Sequence, residues 1–365
     1  MVSDTSENTR NYGLDLLKII CMFGIIGFHF TDLGAVELRA TLPLTFNWMV
    51  LAFWGLWGGV SNCVFMLISG YFLVNKTFKL KSIVRLYGQV WFFSVLTGAL
   101  AYTSGTMSLT YDSLLSVIFP ITHDVYWYFT SYAVVYLIFP YINIVIDRLT
   151  KRQHRNLVLC GILLVTCIHL ARHSLWIMFD NQIPLFIVMY LAGAYIRRYD
   201  LSLPRRRAIV YTMLCLVVGL FSVVLMRWIY PDSDSFEDVL LCVYNSSRLF
   251  PIVTGIVLFL LFKDIRIGGK SVHLVSFFSS STFGVYLLSL GHLKEYLYKV
   301  VLNDSRMYET PYLILFLAVG MVAMFMAGIL VDKLRICVLE RLMFSGLSSS
   351  IERADRKIAS LYPER

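Results

Sequence analysis

Ten apolar runs punctuate the chain, near residues 13–31, 48–74, 83–104, 125–146, 157–172, 182–197, 207–230, 239–262, 274–293 and 311–336. A helix needs about 20 apolar residues to cross a bilayer. The pattern therefore predicts an all-α, polytopic membrane helix bundle of about ten transmembrane helices. The second run is long, with Gly58-Gly59 near its centre, which predicts a bend or an interfacial start. The sixth is short and extends back toward Trp176. The first run carries Asp15 and Lys18, and no small-residue cleavage site follows it. It is expected to stay in place as the first spanning helix.

Composition fits this pattern. Of 365 residues, 58% are hydrophobic and only 15% charged, against roughly a quarter charged in soluble domains. A soluble multidomain enzyme and a disordered chain are both poor fits. The net charge of +9 reads as an orientation signal, with no nucleic acid implied. If the N-terminus is inside and the runs alternate, 24 of the 32 Lys and Arg fall in inside segments and five in outside ones. Both termini are then expected to be cytoplasmic. Trp48, Trp54, Trp127, Trp176 and Trp228 fall near outer helix ends, as interfacial belts require, and sugar stacking is the other reading of the same positions. The seven cysteines are odd in number and lack CxxC or Cys/His spacing, so packing is expected in place of disulfides or metal. Residues 1–336 read as the membrane domain and 337–365 as a cytoplasmic tail.

Candidate chemistry lies in the few polar groups inside the runs, because ionisable side chains there are costly and face the bundle interior or water. Lys18 and His29 are eleven residues apart, three helical turns, and share a face at a separation of roughly 16 Å. Asp15 extends that face. In one reading Lys18 binds an anionic donor group or polarises a carbonyl, and His29 is a general base or acyl carrier. In the other, Asp15–Lys18 is a structural ion pair and His29 an interhelical hydrogen-bonding group. Further candidates are Asn62 and Ser69 on one face of the second run, and Arg85 and Gln89 opening the third. Tyr126, Trp127, Tyr128, Ser131, Tyr132 and Tyr136 cluster in the fourth, Arg248 sits in the eighth, and Tyr286, Ser289 and His292 lie in the ninth. Taken singly, each suits a helix–helix hydrogen bond. His169 and His173, four apart, have a metal-compatible spacing but no third ligand, so no metal is expected. Phosphate-binding loops, GxGxxG, GxSxG and HExxH are missing.

The stretch Asn11-Tyr-Gly-Leu-Asp15-Leu-Leu-Lys18 through His29 resembles the opening of the integral-membrane acyltransferase 3 family, an Arg, ten residues, then His. Ser61-Asn-Cys-Val-Phe-Met-Leu-Ile-Ser69-Gly70-Tyr71-Phe72 is similar to that family's FxxSG helix. Tyr126-Trp127-Tyr128-Phe129 through Pro140-Tyr-Ile-Asn143, Thr282-Phe-Gly284-Val-Tyr286-Leu-Leu and Val331-Asp332-Lys-Leu-Arg335 resemble later segments, in order. Two positions depart from the pattern. Lys18 replaces Arg, which keeps the charge but loses the bidentate fork. Ser289 stands where the family places a histidine, with His292 one turn on.

The resemblance implies transfer of an acyl group, commonly acetyl, from cytoplasmic acyl-CoA to a hydroxyl of a surface polysaccharide or lipid-linked sugar. It implies a multi-pass protein of a bacterial plasma membrane. His29 and Lys18 would be catalytic. Asp15, Arg85, Asn62, Ser69, Tyr126, Trp127, Tyr128, Tyr286 and Ser289 would shape the substrate sites. The lipid bilayer, acyl-CoA and the glycan are the expected partners. A transporter or flippase of a lipid-linked sugar is the alternative, and a catalytically silent membrane partner a third.

Overall fold

In the computed structural model the described residues are 10–34, 44–168, 182–230, 243, 245–302, 307–340, 352–355 and 357–358. Among them the secondary structure is helical, with no strand. We number the helices α1 (Tyr12–His29), α2 (Phe46–Gly55), α3 (Trp57–Leu73), α4 (Leu80–Thr103), α5 (Tyr111–Ile118), α6 (Trp127–Arg148) and α7 (Lys151–Ile168). They continue with α8 (Ile183–Arg198), α9 (Arg205–Ile229), α10 (Leu249–Lys263), α11 (Ser271–Ser279), α12 (Thr282–Leu290), α13 (Lys294–Tyr296) and α14 (Leu313–Arg335). A π-helical turn, Phe30–Gly34, prolongs α1, and another, Leu297–Val301, follows α13.

Contacts at the helix ends show that the columns run alternately up and down. Asn11 Nδ2 donates to the carbonyl of Lys263, the last residue of α10, at 2.8 Å. Arg10 donates to Ser279 Oγ on α11 at 3.0 Å. Asn143, near the end of α6, donates to the Leu73 carbonyl at 3.2 Å. His154, near the start of α7, meets the Leu191 carbonyl of α8 at 3.0 Å. These groups mark the Lys18 end. At the His29 end, Asn47 donates to the carbonyls of Tyr308 and Thr310, both at 2.8 Å, and the His292 N–H donates to Thr97 Oγ1 at 3.3 Å.

Among the described residues, seven helical columns are long and apolar enough to span a membrane: 12–34, 46–73, 80–103, 127–148, 205–229, 271–290 and 313–338. That is fewer than the expected ten. Helix α10 has 15 residues and α8 has 16. Helix α7 opens with Lys151, Arg152 and Arg155, and the rest of its apolar run, with His169 and Arg172, lies outside the described residues, as do His173 and Trp176, toward which the sixth run extends. Arg39 and Cys242 lie outside them too.

The membrane reading gains support from the outer surface. Helix α9 is apolar yet only 17% of its span is buried in the protein. Val217, Phe221 and Trp228 all point outward. An apolar patch of that extent is tolerated where lipid is the solvent. Trp48, expected in an interfacial belt, is instead fully buried, whereas Trp228 is 74% exposed. Cys21 and Cys63 are buried packing residues, while Cys160, Cys167 and Cys337 are exposed.

Helix α3 is the hub, packed against α1, α8 and α10. The predicted bend at Gly58-Gly59 falls at Leu56, where the backbone N–H turns to the Phe53 carbonyl at 3.2 Å. Gly58 serves close packing: a Cβ there would lie 2.6 Å from the Phe28 ring. At the α3–α8 crossing a Cβ on Gly193 would strike the Leu67 carbonyl and come within 2.9 Å of Tyr71 N. Such backbone proximity is how helices associate where lipid removes the hydrophobic drive.

The described part of the tail docks at the Lys18 end. Asp355 Oδ1 accepts from the Leu80 N–H at 2.7 Å, giving α4 the cap that Lys79, its N-cap residue, does not supply.

Candidate active site

Helix α1 positions the site. Asn11 caps it, its side chain accepting from Leu14 N at 3.0 Å, and the apolar positions around it seat the helix against α3 and α10. Asp15, 4% exposed, is held between Arg10 at 2.5 Å and Lys18 at 3.0 Å. Lys18 is thus ion-paired, and it also lines a cavity of about 290 Å³. Lys18 supplies the charge in that wall. Phe65, Ile68 and Ser69 from α3, Leu86 from α4, Tyr128 and Tyr132 from α6, and Phe283 from α12 supply the remainder, with Phe72, Leu73 and Phe129. The interior is largely apolar and aromatic with one ammonium, which suits a chain carrying a polar or anionic end.

His29 stands at the other end of the same face. The residue is half-buried, and its Nδ1 is fully buried without a partner. Its ring lies edge-on to Phe28 at 4.9 Å and 5.9 Å from the ring of Tyr298. His292, in the turn after α12, meets Ser94 Oγ at 3.2 Å. Burial, then the Lys294 charge, pushes its pKa below the usual range. Asp124, in the turn before α6, is shifted upward by burial, against a hydrogen bond from Thr130 and the charge of Lys294.

Between the two ends stands an aromatic wall. Tyr128 and Tyr286 have ring centroids 5.9 Å apart, and Tyr126 and Tyr286 6.2 Å. The hydroxyls of Tyr126 and Tyr286 are buried without hydrogen-bond partners. Tyr286 stacks on Phe283 at 5.9 Å, which ties the wall to the cavity. Trp127 packs on Phe186 at 6.3 Å.

The remaining candidates scatter. Ser69 lies in the cavity wall, its hydroxyl donating to the Phe65 carbonyl at 3.0 Å. Ser289 is fully buried and donates to the Tyr286 carbonyl at 3.0 Å. Asn62 faces the turn before α10 rather than the cavity and donates to Ser246 Oγ at 3.1 Å. Arg85 is exposed and does not line the cavity.

Sequence reasoning missed two groupings. Phe65 and Phe283 complete the cavity beside the Tyr132 already noted; the two phenylalanines lie in apolar runs, where nothing separates a cavity wall from core. Asp332, 1% exposed, accepts from Gln89 Nε2 at 2.9 Å and Arg335 Nε at 3.0 Å. The i, i+3 spacing of Asp332 and Arg335 inside an apolar run was the available signal. Among the described residues no group of three His, Cys, Asp or Glu side chains is arranged to hold a metal.

Fold and site together define a polytopic helical membrane protein with an apolar cavity on one side of a buried polar rail. Residues 11–332 match the family model described as an acyltransferase domain, acyltransferase 3. The match covers most of the chain, which therefore belongs to that family and is a membrane acyltransferase. No curated protein and no solved structure matches it.

Proposed function

We propose that this acyltransferase takes an acyl group, acetyl in the simplest case, from cytoplasmic acyl-CoA and delivers it to a hydroxyl of a surface polysaccharide or lipid-linked sugar in a bacterial plasma membrane. One observation carries the reading: Lys18 in the cavity wall and the unpartnered His29 Nδ1 lie on one face of one helix, roughly 16 Å apart. The Lys18 end is assigned to the cytoplasm because the connections there hold most of the Lys and Arg. Their positive field draws in the phosphates of CoA.

In this scheme the acyl-bearing arm enters the cavity past Lys18 and runs along the aromatic wall toward His29. His29 takes the proton of the acceptor hydroxyl, the oxygen bonds to the acyl carbon, the C–S bond breaks, and the departing thiolate receives the proton. Lys18 is held by its ion pair with Asp15 at 3.0 Å. Tyr126, Trp127, Tyr128, Tyr286 and Ser289 form the passage, and Asp15 orients Lys18.

The test is His29→Ala in the native host, with membrane protein level and acyl esters on the surface glycan both measured. Loss of the esters at normal protein level is expected, in line with the roughly 10²–10⁴-fold contribution of a general base. Normal acylation at normal level sinks the assignment. Release of free CoA from labelled acyl-CoA in membranes separates acyl transfer from transport of a sugar.

A further inference from the structure

Arg248 is the N-cap residue of α10, at the His29 end of the bundle, and the scheme above does not use it. The turn that carries it is packed into the protein: Ser246 and Ser247 are buried, Cys63 Sγ donates to the Ser246 carbonyl at 3.4 Å, and Ser247 N donates to Asn245 Oδ1 at 3.0 Å. Two of the three guanidinium nitrogens, Nε and Nη1, are buried without a partner among the described residues. On α3, the indole Nε1 of Trp57 is in the same state.

The depth of these groups follows from the packing. A Cβ on Gly255 would lie 3.1 Å from Cys63 Cβ and 3.5 Å from the Val60 carbonyl. Helices α3 and α10 run in the same direction. The start of α10, six residues before Gly255, is therefore about 9 Å nearer the His29 end, within roughly a turn of Trp57. Phe28, against Gly58, brings its neighbour His29 to the same depth.

The chemistry of the orphaned atoms is one-sided, because guanidinium and indole nitrogens donate and do not accept. Guanidinium nitrogens shut away from solvent without an acceptor are costly to a fold. Ionisable groups at such positions mark substrate contacts. The missing partner is thus an acceptor-rich anion. We propose that Arg248, with Trp57 beside it in depth, holds an oxyanion of the acceptor, a carboxylate or phosphate on the sugar, near His29. This rests on the acyltransferase reading for the word acceptor; the anion site itself does not depend on it.

The test uses the purified full-length protein in phosphatidylcholine nanodiscs. Thermal midpoint and tryptophan emission are followed with sodium glucuronate, sodium phosphate or sodium chloride at matched ionic strength. Glucuronate or phosphate, but not chloride, is expected to raise the midpoint of the wild type, with apparent affinity at least tenfold weaker in Arg248→Gln and partly kept in Arg248→Lys. Which anion acts separates a sugar carboxylate from a phosphate. Without anion, Arg248→Gln is expected to be at least as stable as the wild type, since it removes a charge the fold leaves unpaired. A fall in its midpoint would mean that the chain itself pairs the guanidinium, and would overturn the proposal. So would a wild type indifferent to both anions, or a response that Arg248→Gln retains in full. A shift seen only when phosphatidylglycerol is added to the discs would assign a lipid headgroup and overturn it too. No acyl transfer is measured here, so failure of this site and failure of the acyltransferase reading remain distinguishable.

Discussion

Filling the cavity tests whether it is a donor site or a packing void, because the two predict different outcomes for one substitution. Ser69→Phe puts a ring into a space of about 290 Å³ already walled by Phe65, Tyr128 and Phe283. The lost hydroxyl only donates back to the Phe65 carbonyl of its own helix, so its removal costs little. The added volume is on the order of 100 Å³. At about 24 cal/mol per Å³ of cavity this gives a ceiling near 2 kcal/mol of stabilisation. Strain from a ring that fits imperfectly lowers it. The midpoint of thermal unfolding, followed by tryptophan fluorescence in detergent, is expected to hold or rise by a few degrees. Free-CoA release from acyl-CoA is expected to fall at least about a hundredfold, because the ring occupies the path of the acyl-bearing arm. A variant that turns over acyl-CoA at the wild-type rate with an unchanged or raised midpoint refutes the donor assignment. A midpoint several degrees lower refutes the volume argument instead.

Three further outcomes follow from buried contacts. Gly193→Leu places side-chain atoms against the Leu67 carbonyl and Tyr71 N, so the α3–α8 crossing must open; folded yield in detergent, read by size-exclusion chromatography, is expected to drop severely, and a wild-type profile counts against the close crossing. Asp332→Asn leaves Arg335 buried beside a neutral amide, a loss on the order of 3–5 kcal/mol for breaking a buried pair; Asp332→Asn with Arg335→Met should recover much of it, and an Asp332→Asn protein with a wild-type midpoint contradicts the pairing. Burial holds the pKa of His154 below its usual value, so the folded protein favours the neutral ring. That contribution is complete above the unfolded value of about 6.5 and is lost as pH falls below it. The midpoint should therefore decline from pH 7 to 5, and His154→Phe should flatten the decline; an equal slope in the variant removes His154 as its source.

Much of the architecture was legible from one dimension. Apolar runs of membrane length follow from the need to satisfy every backbone group inside lipid, and the eleven-residue spacing of Lys18 and His29 fixes a shared face because helical pitch is constant. The ordered motifs pointed to the same family that residues 11–332 match. The sequence could not tell that Asn62 serves the turn before α10 through Ser246, that Arg85 stays exposed, or that Trp48 is core. Periodicity names the face of a residue but not the neighbour that face meets. Nor could it show the cavity, whose walls come from α1, α3, α4, α6 and α12 and are written in the same phenylalanines and leucines as the core.

By itself, then, the sequence determined the helical membrane class, the polar rail on α1 and the charge asymmetry between the loops, because each follows from helix geometry or from the cost of placing charge in lipid. Only the tertiary structure decided which polar groups are already satisfied. Asp15 is held by Arg10 and Lys18, and Asp332 Oδ1 by Gln89 and Arg335, whereas Asp332 Oδ2, His29 Nδ1 and two nitrogens of Arg248 are among the buried atoms left over. Satisfaction depends on which helices meet, and the period of one helix cannot encode the partner that another supplies.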